Sequence, residues 1–158
     1  IIGISLLKNP ARFEWFLEKA TELGVNEIIP LLCSRTEKEK FRQDRLHQVM
    51  VSAMLQSQQC WLPVLHDPVS YELIFRQEEV ARTEEKYIAH CLPEKQSLTS
   101  QLKSNTVSRM ILIGPEGDFT EAEINMALAH QFTPVALGDT RLRSETAGMV
   151  AAGLLCLV

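Results

Sequence analysis

The chain has 158 residues, 46% of them hydrophobic and 23% charged, with a formal net charge of −4. That length and apolar content can bury one core, and no stretch approaches the roughly 20 apolar residues that a membrane helix needs. The acidic balance argues against a free-standing nucleic-acid module, because Lys and Arg neutralising phosphates supply most non-specific affinity.

The opening Ile1-Ile2-Gly3-Ile4 has neither an initiator methionine nor a signal-peptide pattern, so the chain is expected to start inside a strand of a longer protein. Ile1 to Leu7 reads as that strand. Asn9-Pro10 is a helix start, a cap followed by a first-turn proline. Phe13, Phe16, Leu17, Ala20 and Leu23 then recur at helical spacing until Gly24 stops the helix. Val25 to Leu32 is a second strand. The charged run Glu37 to Arg45 reads as a solvated loop and helix entry, and Leu46, Val49, Met50, Ala53 and Ser57 mark a helix face ending near Gln59.

A turn at Leu62-Pro63 and a weak helix over Tyr71 to Thr83 follow. Lys86 to Cys91 is strand-like and empties into Leu92-Pro93. Ser108 to Ile113 is a strong strand, and Thr120-Glu121-Ala122-Glu123 is a capping box that opens the next helix. Thr133 to Leu137 is the last strand, and Ser144 caps a final apolar helix. This alternation predicts one α/β domain over 1–158, a mostly parallel sheet with helices on both faces. Cys33, Cys60, Cys91 and Cys156 lack CxxC spacing and a histidine at ligand spacing, so they are expected to be reduced core thiols of a cytoplasmic protein and no metal site is expected.

Two segments carry the chemistry. Met110-Ile111-Leu112-Ile113-Gly114-Pro115-Glu116-Gly117-Asp118-Phe119 and Ala136-Leu137-Gly138-Asp139-Thr140-Arg141-Leu142-Arg143-Ser144-Glu145-Thr146 share one grammar. In each, an apolar strand runs into a glycine-bearing turn that delivers carboxylates or arginines to a helix start, the place where open α/β sheets bind ligands.

Ile-Gly-Pro-Glu-Gly, then Leu-Gly, then Leu-Arg-x-Glu-Thr-Ala, resembles the RsmE family, 16S ribosomal RNA uridine N3-methyltransferases of the SPOUT class. The likeness extends to Lys8, Arg12, Glu14, the run Lys19 to Val25, Ser34-Arg35-Thr36 and Gln56-Ser57, leaving only 66 to 108 without a signature. Ordinary topology rules give an unknotted sheet. The resemblance instead implies a C-terminal trefoil knot with S-adenosylmethionine in its crevice, a homodimer built around the knot and the final helix, and small-subunit ribosomal RNA, naked or in the assembled subunit, as substrate. It also implies an N-terminal β-barrel related to PUA domains, which nothing in these residues can form.

Carried onto this sequence, the resemblance assigns the cofactor to Cys91, Leu92, Ile113, Gly114, Gly117, Leu137, Gly138 and Leu142. Glycines let backbone N–H and C=O groups approach an adenine edge, and the apolar residues wall the ring and thioether. Methylating uridine N3 requires loss of the imide proton, costing about 3 kcal/mol at neutral pH if its pKa lies about two units higher. Arg143 is expected to orient the base and hold its developing anion, with Glu145 or Glu116 as proton acceptor or as a carboxylate near the sulfonium. Glu145 also fits a plain helix-dipole partner in the first turn of the last helix. Arg12, Lys19, Arg35 and Gln56 are the candidate RNA contacts.

The chain departs from the family pattern at three places. Gly117-Asp118 stands for Gly-Gly, Leu137-Gly138-Asp139-Thr140 for Leu-Gly-Pro-Arg with Arg141 one place later, and Leu55-Gln56-Ser57-Gln58-Gln59 for Glu-Gln-Ser-x-Arg. Loss of that last arginine and gain of Asp118 and Asp139 make the presumed RNA face less positive. Two alternatives therefore stand beside the enzyme: an S-adenosylmethionine-binding knotted module without turnover, and a flavodoxin-like nucleotide or phosphate binder using helix N-termini.

Overall fold

The computed structural model describes residues 1–37, 40–91, 96–103, 106 and 108–157. Among these, eight strands form one sheet. They are β1 (Ile2–Ser5), β2 (Glu27–Leu32), β3 (Val64–Leu65), β4 (Val69–Ser70), β5 (Glu85–Ala89), β6 (Gln96–Ser97), β7 (Arg109–Ile113) and β8 (Thr133–Ala136). The helices are α1 (Pro10–Glu22), α2 (Gln43–Gln56), α3 (Tyr71–Ile74), α4 (Glu78–Ala81), α5 (Leu98–Gln101), α6 (Glu121–Ala129) and α7 (Ser144–Leu157).

Strand sequences explain why both faces are covered. Consecutive residues of β7 enter different cores: Ile111 and Ile113 one, Met110 and Leu112 the other. Tyr87 and Ile88 of β5 divide the same way, as do Ile28 and Ile29 of β2. An apolar run without alternation is what a strand buried on both faces requires. Phe16 of α1, Met50 of α2 and Ala151 of α7 cover one face, while Tyr71 of α3, Val80 of α4 and Ile124 of α6 cover the other.

The sheet order is β3-β2-β1-β7-β5-β8-β6, with β4 also beside β2, and every described pairing is parallel. The chain leaves β5 for β6 beyond β8, returns to β7 on the other flank of β5, and crosses again to β8. Consecutive connections thus diverge around β5, the topological switch that opens a crevice at strand C-terminal ends.

The predicted caps of α1 and α6 are present. Asn9 accepts a hydrogen bond from the Ala11 N–H with Pro10 in the first turn, and Thr120 and Glu123 form the reciprocal capping box. Three expectations need correction. The single helix over Tyr71 to Thr83 is two four-residue helices separated at Phe75–Gln77. Ser144 is itself helical, with the Arg143 carbonyl accepting from the Ala147 N–H at 2.7 Å, so the cap position belongs to Arg143. Of the four free cysteines only Cys33 is buried. Cys60 follows α2, Cys91 lies two residues past β5 and Cys156 is in the last turn of α7, places where an apolar neighbourhood in sequence does not become burial. At Cys33, burial pushes the thiol pKa up to about 12, leaving it a neutral packing group.

Candidate active site

The ends of three adjacent strands, β7, β5 and β8, open onto one cavity of about 280 Å³. Its walls come from the three turns that the sequence singled out. Cys91, Ile113, Gly114, Leu137, Gly138 and Leu142 line it, with Glu116 and Arg143. Gly138 has φ 158°, and a Cβ built there would meet nothing within 4 Å, so the backbone itself faces open space. At Gly114 the constraint is different: a Cβ would lie 3.1 Å from the ring of buried Phe119 beneath the turn, a close approach that favours glycine.

The 114–119 turn is tethered to the segments that follow β1, β2 and β5. Glu116 Oε1 accepts from the Lys8 backbone N–H at 3.0 Å after β1. Arg35, after β2, donates to the Gly117 carbonyl at 2.6 Å. Asp118 Oδ2 accepts from the Cys91 backbone N–H at 2.9 Å after β5. Glu123 in turn anchors the Arg35 segment, since its Oε1 accepts from the Ser34 N–H at 2.8 Å while Oε2 completes the α6 cap. Two of these tethers use charged acceptors, the stronger kind of hydrogen bond.

Other candidates lie elsewhere. Gly117 is not in the cavity wall; a Cβ there would sit 3.2 Å from Arg35, so its glycine serves the tether. Glu145 is buried behind the wall, its Oε1 3.6 Å from Arg12 Nε and its Oε2 without a hydrogen-bond partner among the described residues. Leu92 lies outside the described residues. Of the proposed RNA contacts, Arg12 faces Glu145 and Arg35 is spent on Gly117. Lys19 is bound by Glu18 and Glu22, which raise its pKa, and Gln56 is exposed at the end of α2. Gln59, which stands where the family pattern has arginine, donates instead to the Glu22 carbonyl at the end of α1.

His90 and Arg141 line the cavity within turns that the sequence reading assigned to the cofactor, whereas Asp118 and Ser144, also in its wall, were not among the candidate site residues. Asp118 had a signal, an acid where the pattern expects glycine. Arg141 and Arg143 are exposed at the cavity rim, and Arg143 makes no ion pair among the described residues, with Glu145 facing Arg12 instead. The cavity thus presents Glu116 and Asp118 on one turn and two guanidinium groups on another.

Away from it, Glu27, His66 and Glu79 bring possible metal-ligand atoms within 4.8 Å of one another. Arg82 pairs with the same Glu27, and His66 turns Nε2 to Glu27 and Nδ1 to Glu79, at 3.0 and 3.9 Å. An arginine already sits on Glu27, and the two ring nitrogens of His66 face different carboxylates.

Residues 1–156 match the model of a family described as RNA methyltransferase domain. The chain belongs to this family. It is 36% identical over 158 residues to the ribosomal RNA small subunit methyltransferase E of Synechocystis, covering 95% of this chain and 50% of that protein. It is 30% identical over 155 residues to the protein of the same name from Mesomycoplasma hyopneumoniae, covering 94% and 65%. The chain therefore spans about half to two thirds of the length of these relatives. Among solved structures, a probable rRNA-methyltransferase from Porphyromonas gingivalis superposes with TM-score 0.86 at 33% identity, covering 98% of this chain and 66% of that one. The ribosomal RNA small subunit methyltransferase E of Neisseria gonorrhoeae, bound to S-adenosyl methionine, gives 0.85 at 26% identity, covering 98% and 63%. The family resemblance read from the turns is borne out, and so is the parallel α/β fold of these methyltransferases.

Proposed function

We propose that this domain binds S-adenosylmethionine in the cavity at the ends of β5, β7 and β8 and transfers its methyl group to small-subunit ribosomal RNA, at N3 of a uridine. One observation carries the reading. The cavity, backbone-faced at Gly138 and rimmed by Arg141 and Arg143, sits at the switch point of a chain matched over 1–156 to an RNA methyltransferase domain. Apolar Ile113, Leu137 and Leu142 suit an adenine and thioether, and exposed backbone suits the adenine edge. The cofactor would supply an electrophilic methyl on a sulfonium. The chain's own part is to hold the uridine in line with it, which accounts for much of the acceleration.

In this proposal Arg143 faces the uridine carbonyl that gains charge as N3 loses its proton. Glu116 is the carboxylate placed to accept that proton, because it lines the cavity, whereas Glu145 serves behind the wall, held by Arg12. The same reading includes the trefoil knot, an additional RNA-docking domain, cytoplasmic action and a homodimer.

The test is tritiated-methyl transfer to small-subunit particles from a strain lacking the gene, followed by nucleoside analysis. N3-methyluridine is expected. Binding of the cofactor with no transfer would select a binding module, and another methylated nucleoside would move the target atom.

A further inference from the structure

Asp118 is the one cavity residue whose backbone and side chain both ask for an explanation. Its φ is +66°, a left-handed conformation that glycine adopts freely and that aspartate enters less readily, helped by local side-chain hydrogen bonds. The aspartate occupies the conformation nonetheless, with both carboxylate oxygens engaged: Oδ1 accepts from the Phe119 N–H at 2.8 Å and Oδ2 from the Cys91 N–H at 2.9 Å. The first bond is local. The second joins the end of β5 to the turn after β7, two walls of the same cavity.

We infer that Asp118 is a positioning residue, a latch fixing the β5 wall to the β7 wall at the separation the cofactor requires. The inference rests on the cofactor reading above. Both oxygens face backbone amides, so the carboxylate acts through the position of Cys91 and not through its charge on the ligand. Glycine would ease the backbone while releasing the latch, which separates fold stability from function. Asparagine has one carbonyl oxygen and can keep only one of the two bonds.

The experiment compares full-length wild type, Asp118→Gly and Asp118→Asn. Calorimetry reads affinity for S-adenosylmethionine and for S-adenosylhomocysteine, thermal melting reads stability, and amide hydrogen exchange reads the Cys91 N–H. In Asp118→Gly, Cys91 exchange should accelerate and both affinities should fall by about tenfold, the ratio that one hydrogen bond of ordinary net strength supplies. The melting temperature should hold or rise, and Asp118→Asn should fall between. Affinity within twofold of wild type in Asp118→Gly would overturn the latch, as would unchanged Cys91 exchange. A loss confined to S-adenosylmethionine would overturn it too, by assigning Asp118 to the sulfonium charge. A wild-type protein that binds neither ligand fails the cofactor reading instead, and the exchange measurement still judges the link between the walls.

Discussion

At the residue scale, the same motif positions divide into cavity and scaffold by where each side chain points. Ile113, Leu137 and Leu142 reach the cavity, whereas Gly117 and Glu145, equally prominent in sequence, turn to Arg35 and Arg12. Sequence spacing placed all five in the right turns. It could not say which oxygen of a glutamate would be spoken for, because that depends on residues about a hundred positions away, as with Lys8 and Glu116. Arg143 remains the sharpest test. It makes no ion pair among the described residues, so Arg143→Ala should leave folding and cofactor affinity near wild type while lowering single-turnover methyl transfer. Loss of one such donor typically costs ~2.7–4 kcal/mol, about a hundred- to a thousandfold in rate. Turnover near wild type would remove Arg143 from the mechanism.

At the element scale, long elements with a clear period were legible and very short ones were not. The capping residues of α1 and α6 announced those helices because their hydrogen bonds are local. The two-residue strands β3, β4 and β6 carry no period, and only their neighbours in the sheet make them strands. The contact between α7 and α1 is a further case that composition conceals. Gly148 looks like a weak point in a helix, yet a Cβ there would lie 2.7 Å from Phe16 and 3.0 Å from Ile4, both fully buried. Gly148→Ala gains about 1 kcal/mol of helix propensity and meets about 1–3 kcal/mol of overpacking, so net destabilisation of up to about 2 kcal/mol is expected. Denaturant unfolding reads it as a lower midpoint at unchanged slope. A more stable variant would show that α7 can shift off α1 freely.

At the scale of the whole molecule, α7 covers the sheet with one face and keeps apolar residues on others. Ala151 and Ala152 are buried, Met149 and Val150 are half-buried, and Leu157 is 70% exposed; Val158 lies outside the described residues. A second copy packing there would bury this surface, so light scattering at micromolar concentration should give twice the chain mass, and a monomeric mass would refute the dimer. No described helix is long and apolar enough to cross a membrane. From the sequence alone came the class of fold, the two glycine turns and the family, because apolar runs, caps and turn residues act over a few positions. The tertiary structure alone decided that β5 lies between β7 and β8, the strand order that brings onto one cavity the three turns the resemblance had assigned to the cofactor. It also decided that Asp118 reaches Cys91. Parallel strands are joined by long crossovers, and their order is set by packing across the sheet, which no local pattern of residues encodes.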